Sequence, residues 1–339
     1  MPPKKNISIK DVARLAGVST ATVSHVMNKN GRYSKETEQK VQNAVEKYGY
    51  VSNNAAKSLR SSSTRTIGLI VPNIRNEFFA DIASSIESFF YEHSYSVFIC
   101  NSSNDTGKEI DYFKQLSFQR VDGIVCISGQ RMISNDIISH DIPIVLLDRS
   151  PLNTMNLPTI HSDDKNGIKK AMSILLNKGC RHIVYIGSRT SQYQSGERKS
   201  GYLESLSSYG IPIDLDMVLD LHNETPSNEQ SEVLITEYLE SGKPIDGIVC
   251  ASDNSALGAL AGLKRAGLRV PEDVKVFGFD NSFSSSISNP TLSTIGRNPS
   301  LMAAMAAQKL YNMITHTKDS ISNNLVLPVD IIERDSTKS

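Results

Sequence analysis

From Ile67 onward the chain alternates apolar runs of four to six residues with longer segments of helical period. No other feature of its 339 residues restricts the fold so tightly. The apolar runs are residues 67–71, 96–100, 123–127 and 144–147 in one half, and 182–186, 247–251 and 274–279 in the other. Helical patterns fall near 79–93, 106–119, 165–178, 197–209, 229–241 and 254–266. A strand that is apolar on both faces must be covered on both, and helices returning between such strands make parallel sheets. Residues 121–128 (VDGIVCIS) and 245–252 (IDGIVCAS) echo each other, and each follows a helix and reads as a strand. The pattern predicts an α/β body of two similar lobes, each a doubly wound parallel sheet, with a ligand between them at the carboxyl ends of the strands.

The first 65 residues have a different texture. They carry 12 Lys and Arg against 4 Asp and Glu, a net +8; the other 274 residues hold 24 bases and 32 acids, a net −8. The whole chain sums to zero, so its average conceals a basic head on an acidic body. That asymmetry belongs to a protein whose head meets a polyanion. Three short helices are legible in the head. Ile9, Val12, Ala13 and Ala16 form one stripe behind Ser8, and Val23, Val26 and Met27 a second behind Ser19. Val41, Ala44, Val45 and Tyr48 form a third behind Ser34. The first two helices flank the turn at Gly17, which makes a helix-turn-helix unit. The Ser-rich stretch 61–66 reads as a boundary.

A recognition helix needs short polar or planar side chains near its amino end, because that end enters the major groove. Thr20 and Ala21 open the second helix, and Ser24 and His25 follow one turn on, so all four share a face. His25 can donate to a guanine acceptor, Thr20 can bond a base or phosphate, and Ala21 can touch a thymine methyl.

The run from Ile7 to Asn28 closely resembles the head of the lactose-repressor (LacI/GalR) family of transcriptional regulators. The resemblance continues through 50–59, that family's hinge helix, and resumes at 269–274 and 278–281. It implies a homodimer on a pseudo-palindromic operator in double-stranded DNA, with paired hinge helices in the minor groove and Leu59 wedged into the central base step. Carried onto this sequence, the DNA contacts fall on Ser19, Thr20, Ala21, Thr22, Ser24, His25, Asn28, Tyr33, Ala56, Lys57, Leu59 and Arg60. Ser52 departs from the family, which usually has proline there, so the hinge starts less rigidly. The implied organisation is a helix-turn-helix head (1–49), a hinge helix and linker (50–65), and a periplasmic-binding-protein-like body for effector binding and dimerisation (66–339). Its first lobe comprises about 66–165 with 298–323, and its second about 166–297 with 324–339.

The family's body is similar to periplasmic sugar-binding proteins, those for ribose above all. On that likeness the effector site comprises Asn76, Phe78, Phe79, Asp148, Arg149, Arg198, Ser252, Asp253, Asp280 and Arg297. The chemistry agrees: a sugar offers C–H faces to aromatic rings and hydroxyls to carboxylates and guanidinium forks. Ser252 and Arg297 stand where ribose binders carry amides, which argues against ribose itself and suits a larger hydroxylated sugar or a phosphate. The Asp148-Arg149 pair and the Ser162-Asp163 segment also look like those of sucrose or fructose operon repressors.

Enzyme signatures are missing. There is no G-x-G-x-x-G, no G-x-S-x-G and no H-E-x-x-H, and Thr106-Gly107-Lys108 lacks the first glycine of a phosphate loop. The seven histidines show no metal-ligand spacing, so neither a metal nor a cofactor is expected. The four cysteines form no C-x-x-C pair and read as reduced, buried thiols. No apolar run of signal length follows Lys4 and Lys5, and none approaches a membrane span. The expected location is the bacterial cytoplasm, on the nucleoid when bound. The sequence thus reads as a DNA-binding repressor of a carbohydrate-utilisation operon, its operator affinity modulated by a sugar or sugar phosphate between the lobes. The alternatives are a global carbon-catabolite regulator answering mainly to a partner protein, and a cytosolic sugar-binding protein with a fused DNA-binding head.

Overall fold

Short polar caps set the helices of the head. The Ser8 hydroxyl accepts from the Asp11 N–H and the Asp11 carboxylate accepts from the Ser8 N–H, starting α1 (Ile9–Ala16), which Gly17 ends at φ 67°. The Ser19 hydroxyl accepts from the Thr22 N–H at 3.0 Å and starts α2 (Thr20–Met27). Ser34 caps α3 (Lys35–Tyr48) in the same way. Val12, Ala13, Ala16, Val23, Val26, Val41 and Ala44 make the buried core of this unit. This computed structural model describes residues 7–27, 30–50, 63–130, 132, 142–149, 151, 153, 154, 156–188, 193–222, 227–317 and 320–338. It divides into two units between Thr64 and Arg65.

The second unit is built from two six-stranded sheets. The first lobe runs β1 (Thr66–Val71), α4 (Glu77–Glu92), β2 (Ser96–Asn101), α5 (Thr106–Phe118), β3 (Gly123–Cys126), β4 (Ile144–Leu147) and β5 (Thr159–Ser162). The chain crosses into α6 (Asp164–Asn177), β6 (Ile183–Ser188), α7 (Tyr193–Ser208), β7 (Val218–Leu221), α8 (Ser227–Glu240), β8 (Gly247–Cys250), α9 (Asp253–Arg265), β9 (Lys275–Asp280), α10 (Phe283–Ile287) and β10 (Ser293–Gly296). It returns through α11 (Pro299–Thr315) and β11 (Asn324–Leu327), and ends with β12 (Asp330–Ile332). The strand orders are β11-β5-β4-β3-β1-β2 and β12-β10-β9-β8-β6-β7, the same winding twice. The echoed segments are β3 and β8, at matching places in the two sheets.

Each sheet is covered on both faces. Ile82, Ile86 and Phe90 of α4 with Met302, Ala306 and Leu310 of α11 pack on one face of the first sheet, and Phe113 and Leu116 of α5 on the other. In the second lobe, Met172 and Leu175 of α6 with Tyr202 of α7 oppose Ile235 of α8 and Leu263 of α9 across the sheet. The four cysteines are free and buried, and burial pushes the Cys100 and Cys180 thiols up to about 11.

Two features differ from the sequence reading. The periodicity gives no sign of β5, β7, β10, β11 and β12, which are three or four residues long and mix polar with apolar residues. The last crossover also lies later than 324. Asn324–Leu327 pairs in parallel with Thr159–Ser162, because β5 would otherwise leave its edge groups unpaired, and the chain enters the second sheet only at Asp330. There β12 runs antiparallel to β10, the exception to an otherwise parallel pattern among the described strands.

Asp253, at the start of α9, bolts the second lobe together at its strand ends. Its Oδ2 accepts from the Ser282 N–H at 2.7 Å and the Ser282 hydroxyl at 3.0 Å, and its Oδ1 accepts from the Thr294 hydroxyl at 2.6 Å. Burial, and behind it the charge of Asp280, pushes this carboxyl from 3.8 up to about 7. The folded state therefore holds a proton that the unfolded chain releases more readily. That contribution to stability is complete below pH 3.8 and is lost as pH rises through 7. Between pH 4 and 8 the wild type should lose about 4 kcal/mol relative to Asp253→Asn, read from thermal or urea unfolding. Parallel pH profiles for the two proteins would show that Asp253 titrates normally.

Candidate functional site

On α2, Thr20, Ala21 and His25 are exposed and Ser24 is half-buried, while Val23 and Val26 face the core. Ser19 and Thr22 are engaged with each other, hydroxyl to hydroxyl at 2.9 Å. Tyr33 packs half-buried against the core of the head. Asn28, Ser52, Ala56, Lys57, Leu59, Arg60 and the hinge helix lie outside the described residues. His25 is held from behind. Its Nδ1 lies 3.2 Å from Asn30 Oδ1, and Gly31, at φ 86°, passes so close that a Cβ there would stand 2.6 Å from Nδ1. These contacts fix the ring from behind, and His25 stays exposed on the same helix as Thr20 and Ala21.

In the body, the two lobes meet at three buried charges. Asp148 follows β4 and Asp280 ends β9, which hold matching places in the two sheets. Both stand at positive φ, 61° and 117°, where a side chain is strained by about 1–3 kcal/mol. Arg297, directly after β10, joins them. Its Nη1 donates to Asp148 Oδ1, and its Nε and Nη2 donate to Asp280 Oδ1 at 3.0 and 2.5 Å. The guanidinium carbon lies 3.5 Å from the centroid of the Phe78 ring. None of the three residues is more than 7% exposed. Burial works against the charge of Arg297, but Asp148 and Asp280 outweigh it and hold the guanidinium ionised. Burial likewise works against Asp148, yet Arg297, Arg149 and Arg198 keep its carboxyl below the usual range, while for Asp280 burial prevails and pushes it up.

Two further arginines border this triad. Arg149 lies over Phe79, 5.3 Å from the ring centroid, with its Nε 3.8 Å from Asp148 Oδ2, and its side chain keeps 27% exposure. Phe78 and Phe79 meet edge to face at 5.5 Å. Arg198 on α7 donates through Nε and Nη2 to Asp164 Oδ2, both at 2.7 Å, and through Nη1 to the Ala251 carbonyl, and it lies 3.9 Å above the Phe279 ring. All these partners belong to its own lobe. A groove of about 320 Å³ opens beside Arg297 and Asn298, along Pro328 and Asp330. It lies on the crossover side, and neither phenylalanine lines it.

The sequence-predicted set is thus only partly gathered. Asn76 accepts from the Phe78 N–H at 2.9 Å as the cap of α4, Ser252 caps α9 by accepting from the Ser255 N–H at 3.2 Å, and Asp253 is engaged as described. These three are bound into local architecture. Three residues were missed. Asp164, buried and short-bonded to the Ser162 hydroxyl, anchors Arg198, and its signal was its place beside the Ser162-Asp163 pair. Phe279 floors Arg198 from within the Gly278–Asp280 segment. Glu109 accepts from the Ser128 hydroxyl at 2.6 Å and the Gly129 N–H at 2.7 Å, fixing the turn after β3. Burial pushes its carboxyl up, and an acid in a helix that also carries Lys108, Asp111 and Lys114 gives no sequence signal.

Residues 8–53 match the family of bacterial regulatory proteins of the lacI type, and residues 173–337 match a periplasmic binding protein-like domain. The transcriptional regulator RegA of Clostridium saccharobutylicum is 33% identical, across 97% of this chain and 99% of RegA. The transcriptional repressor PurR of Vibrio atlanticus is 31% identical, across 98% and 99%. Among solved structures, the lac repressor dimer bound to operator and the anti-inducer ONPF shares the fold, with a TM-score of 0.85 over 99% of this chain and 100% of that one at 23% identity. A periplasmic binding protein/LacI transcriptional regulator from Alkaliphilus metalliredigens, complexed with D-xylulofuranose, has a TM-score of 0.70 and 32% identity over 81% of this chain and 100% of that one. Such proteins are regulators and not enzymes, and among the described residues no helix is long and apolar enough to cross a membrane. The chain belongs to the lacI family of bacterial regulatory proteins, as a DNA-binding transcriptional repressor with a periplasmic-binding-protein-like body.

Proposed function

We propose that this repressor controls a carbohydrate operon, and that a sugar or sugar phosphate between the lobes sets its operator affinity. The observation that carries this reading is the pair of matched strand-end carboxylates, Asp148 and Asp280, facing each other across the cleft beside the Phe78 and Phe279 rings. Sugar hydroxyls compete for such carboxylates, a phosphate competes for Arg149 and Arg297, and sugar C–H faces suit the rings. The xylulofuranose-bound relative supports the same ligand class. PurR relatives favour a second reading, in which a purine takes the place of Arg149 over the Phe79 ring. Effector binding would shift affinity for DNA by about 5–150-fold, the usual scale of coupling between sites. The homodimer on a pseudo-palindrome gains support from the exposed edge strand β2, where Phe98 and Ile99 are 43% and 46% exposed. A thermal-shift series with sugars, sugar phosphates and purines tests the ligand class. Stabilisation by purines alone overturns the sugar reading, and stabilisation by none points to a partner protein.

For the head, operator affinity should fall steeply between about 50 and 200 mM salt, because the +8 segment acts through phosphates. His25→Ala should lose about 1–3 kcal/mol of discrimination at one base pair, with little change at others. An unchanged consensus from site selection removes His25 from base reading.

For the body, Arg149→Ala should melt normally, bind operator as the wild type does without effector, and respond weakly to it. Arg198→Ala should behave differently. It strips the buried Asp164 of both its guanidinium hydrogen bonds and should cost about 3–5 kcal/mol of stability. Melting curves with operator titrations, with and without the effector found in the thermal-shift series, separate the two. An Arg198→Ala protein as stable as the wild type refutes the anchoring role.

A further inference from the structure

A second contact spans the cleft, away from the charged triad. Glu77, the first residue of α4 in the first lobe, accepts from the Ser284 N–H of α10 in the second lobe at 3.3 Å through Oε2, and from the Ser284 hydroxyl through Oε1. Both residues are half-buried. The amino end of α4 is capped by Asn76, so Glu77 is left to use both its oxygens on the other lobe. Each side is rigidly mounted. Phe78 and Phe79 sink α4 into the first core, and Asp253 ties Ser282 to Thr294 two residues before Ser284. The contact does not involve the crossover segments themselves: Glu77 follows β1 in the first sheet, and Ser284 lies between β9 and β10 in the second.

We infer that Glu77 and Ser284 form a latch that governs how readily the two lobes part. A carboxylate accepting from a hydroxyl and an amide is a charge-assisted pair, worth more than a neutral hydrogen bond. Because it joins residues of opposite lobes, it must break before the lobes part along α4 and α10. The latch stands on this geometry alone. Its effect on operator affinity rests on the function proposed above.

The test uses the full chain without DNA or sugar, so its failure and the failure of the proposed function are distinguishable. Amide hydrogen exchange is followed by mass spectrometry in peptides covering 76–80, 148–149 and 280–285. Glu77→Ala should exchange at least about tenfold faster there, with Glu77→Gln intermediate and the core strands unchanged. Rates equal to the wild type overturn the latch. So does an acceleration spread evenly over the core strands, which reports general unfolding. A second variant, Glu77→Cys with Ser284→Cys, keeps the inference exposed if Glu77→Ala folds poorly. Mild oxidation should join the two thiols and slow exchange in the same peptides below the wild-type rate, with reduction restoring it. Failure of the two thiols to join overturns the latch.

Discussion

A guanidinium buried between two carboxylates governs how the body holds together. Arg297 belongs to a crossover, and its two partners come one from each lobe. A buried charge is tolerated only when paired, and removing one partner costs about 3–5 kcal/mol. Among the described residues, the four apolar clusters of the body each stay within one lobe. The contacts that join the lobes there are ionic, hydrogen-bonded and ring-to-guanidinium. Such an interface is directional, and it can be competed for by a polar molecule in a way that apolar packing cannot.

The matched winding of the two sheets explains why the carboxylates face one another. Asp148 and Asp280 leave corresponding strands, and both leave them with the backbone in a left-handed conformation. Two strained residues at equivalent positions turn their side chains to the same central point, where a single arginine meets them. A ligand that displaces this arginine exchanges one set of charge-assisted bonds for another. It moves the lobes only by the difference in how well it fits their two arrangements.

Much of this was legible in the sequence, and the reasons for the rest are physical. Strands buried on both faces, such as residues 67–71 and 144–147, announce themselves by unbroken apolar runs, and the capped helices of the head by their stripes. The short strands β5, β10 and β12 are specified by pairing and burial contributed from elsewhere in the chain, so their local pattern carries little. The charged residues at strand ends were found, but their division of labour was not. Asn76 and Ser252 look like ligand groups in sequence because amide and hydroxyl side chains serve caps and ligands alike. Asp164 and Glu77 act through partners 34 and 207 residues away, a distance that periodicity cannot reach.

The late return of α11 and β11 to the first lobe has a consequence for how the protein is made. The first sheet has gained β5 by residue 162, yet one of the two helices on its first face and its edge strand are not synthesised until residue 327. At about 5–20 residues per second, the ribosome leaves that lobe incomplete for on the order of 10–30 s, with only α4 on the face that α11 will share. The head has its own core and is complete within the first 50 residues, so it can fold before either lobe. A nascent chain of this protein therefore passes through a stage in which the DNA-binding unit is finished while the unit proposed to control it is still an open sheet.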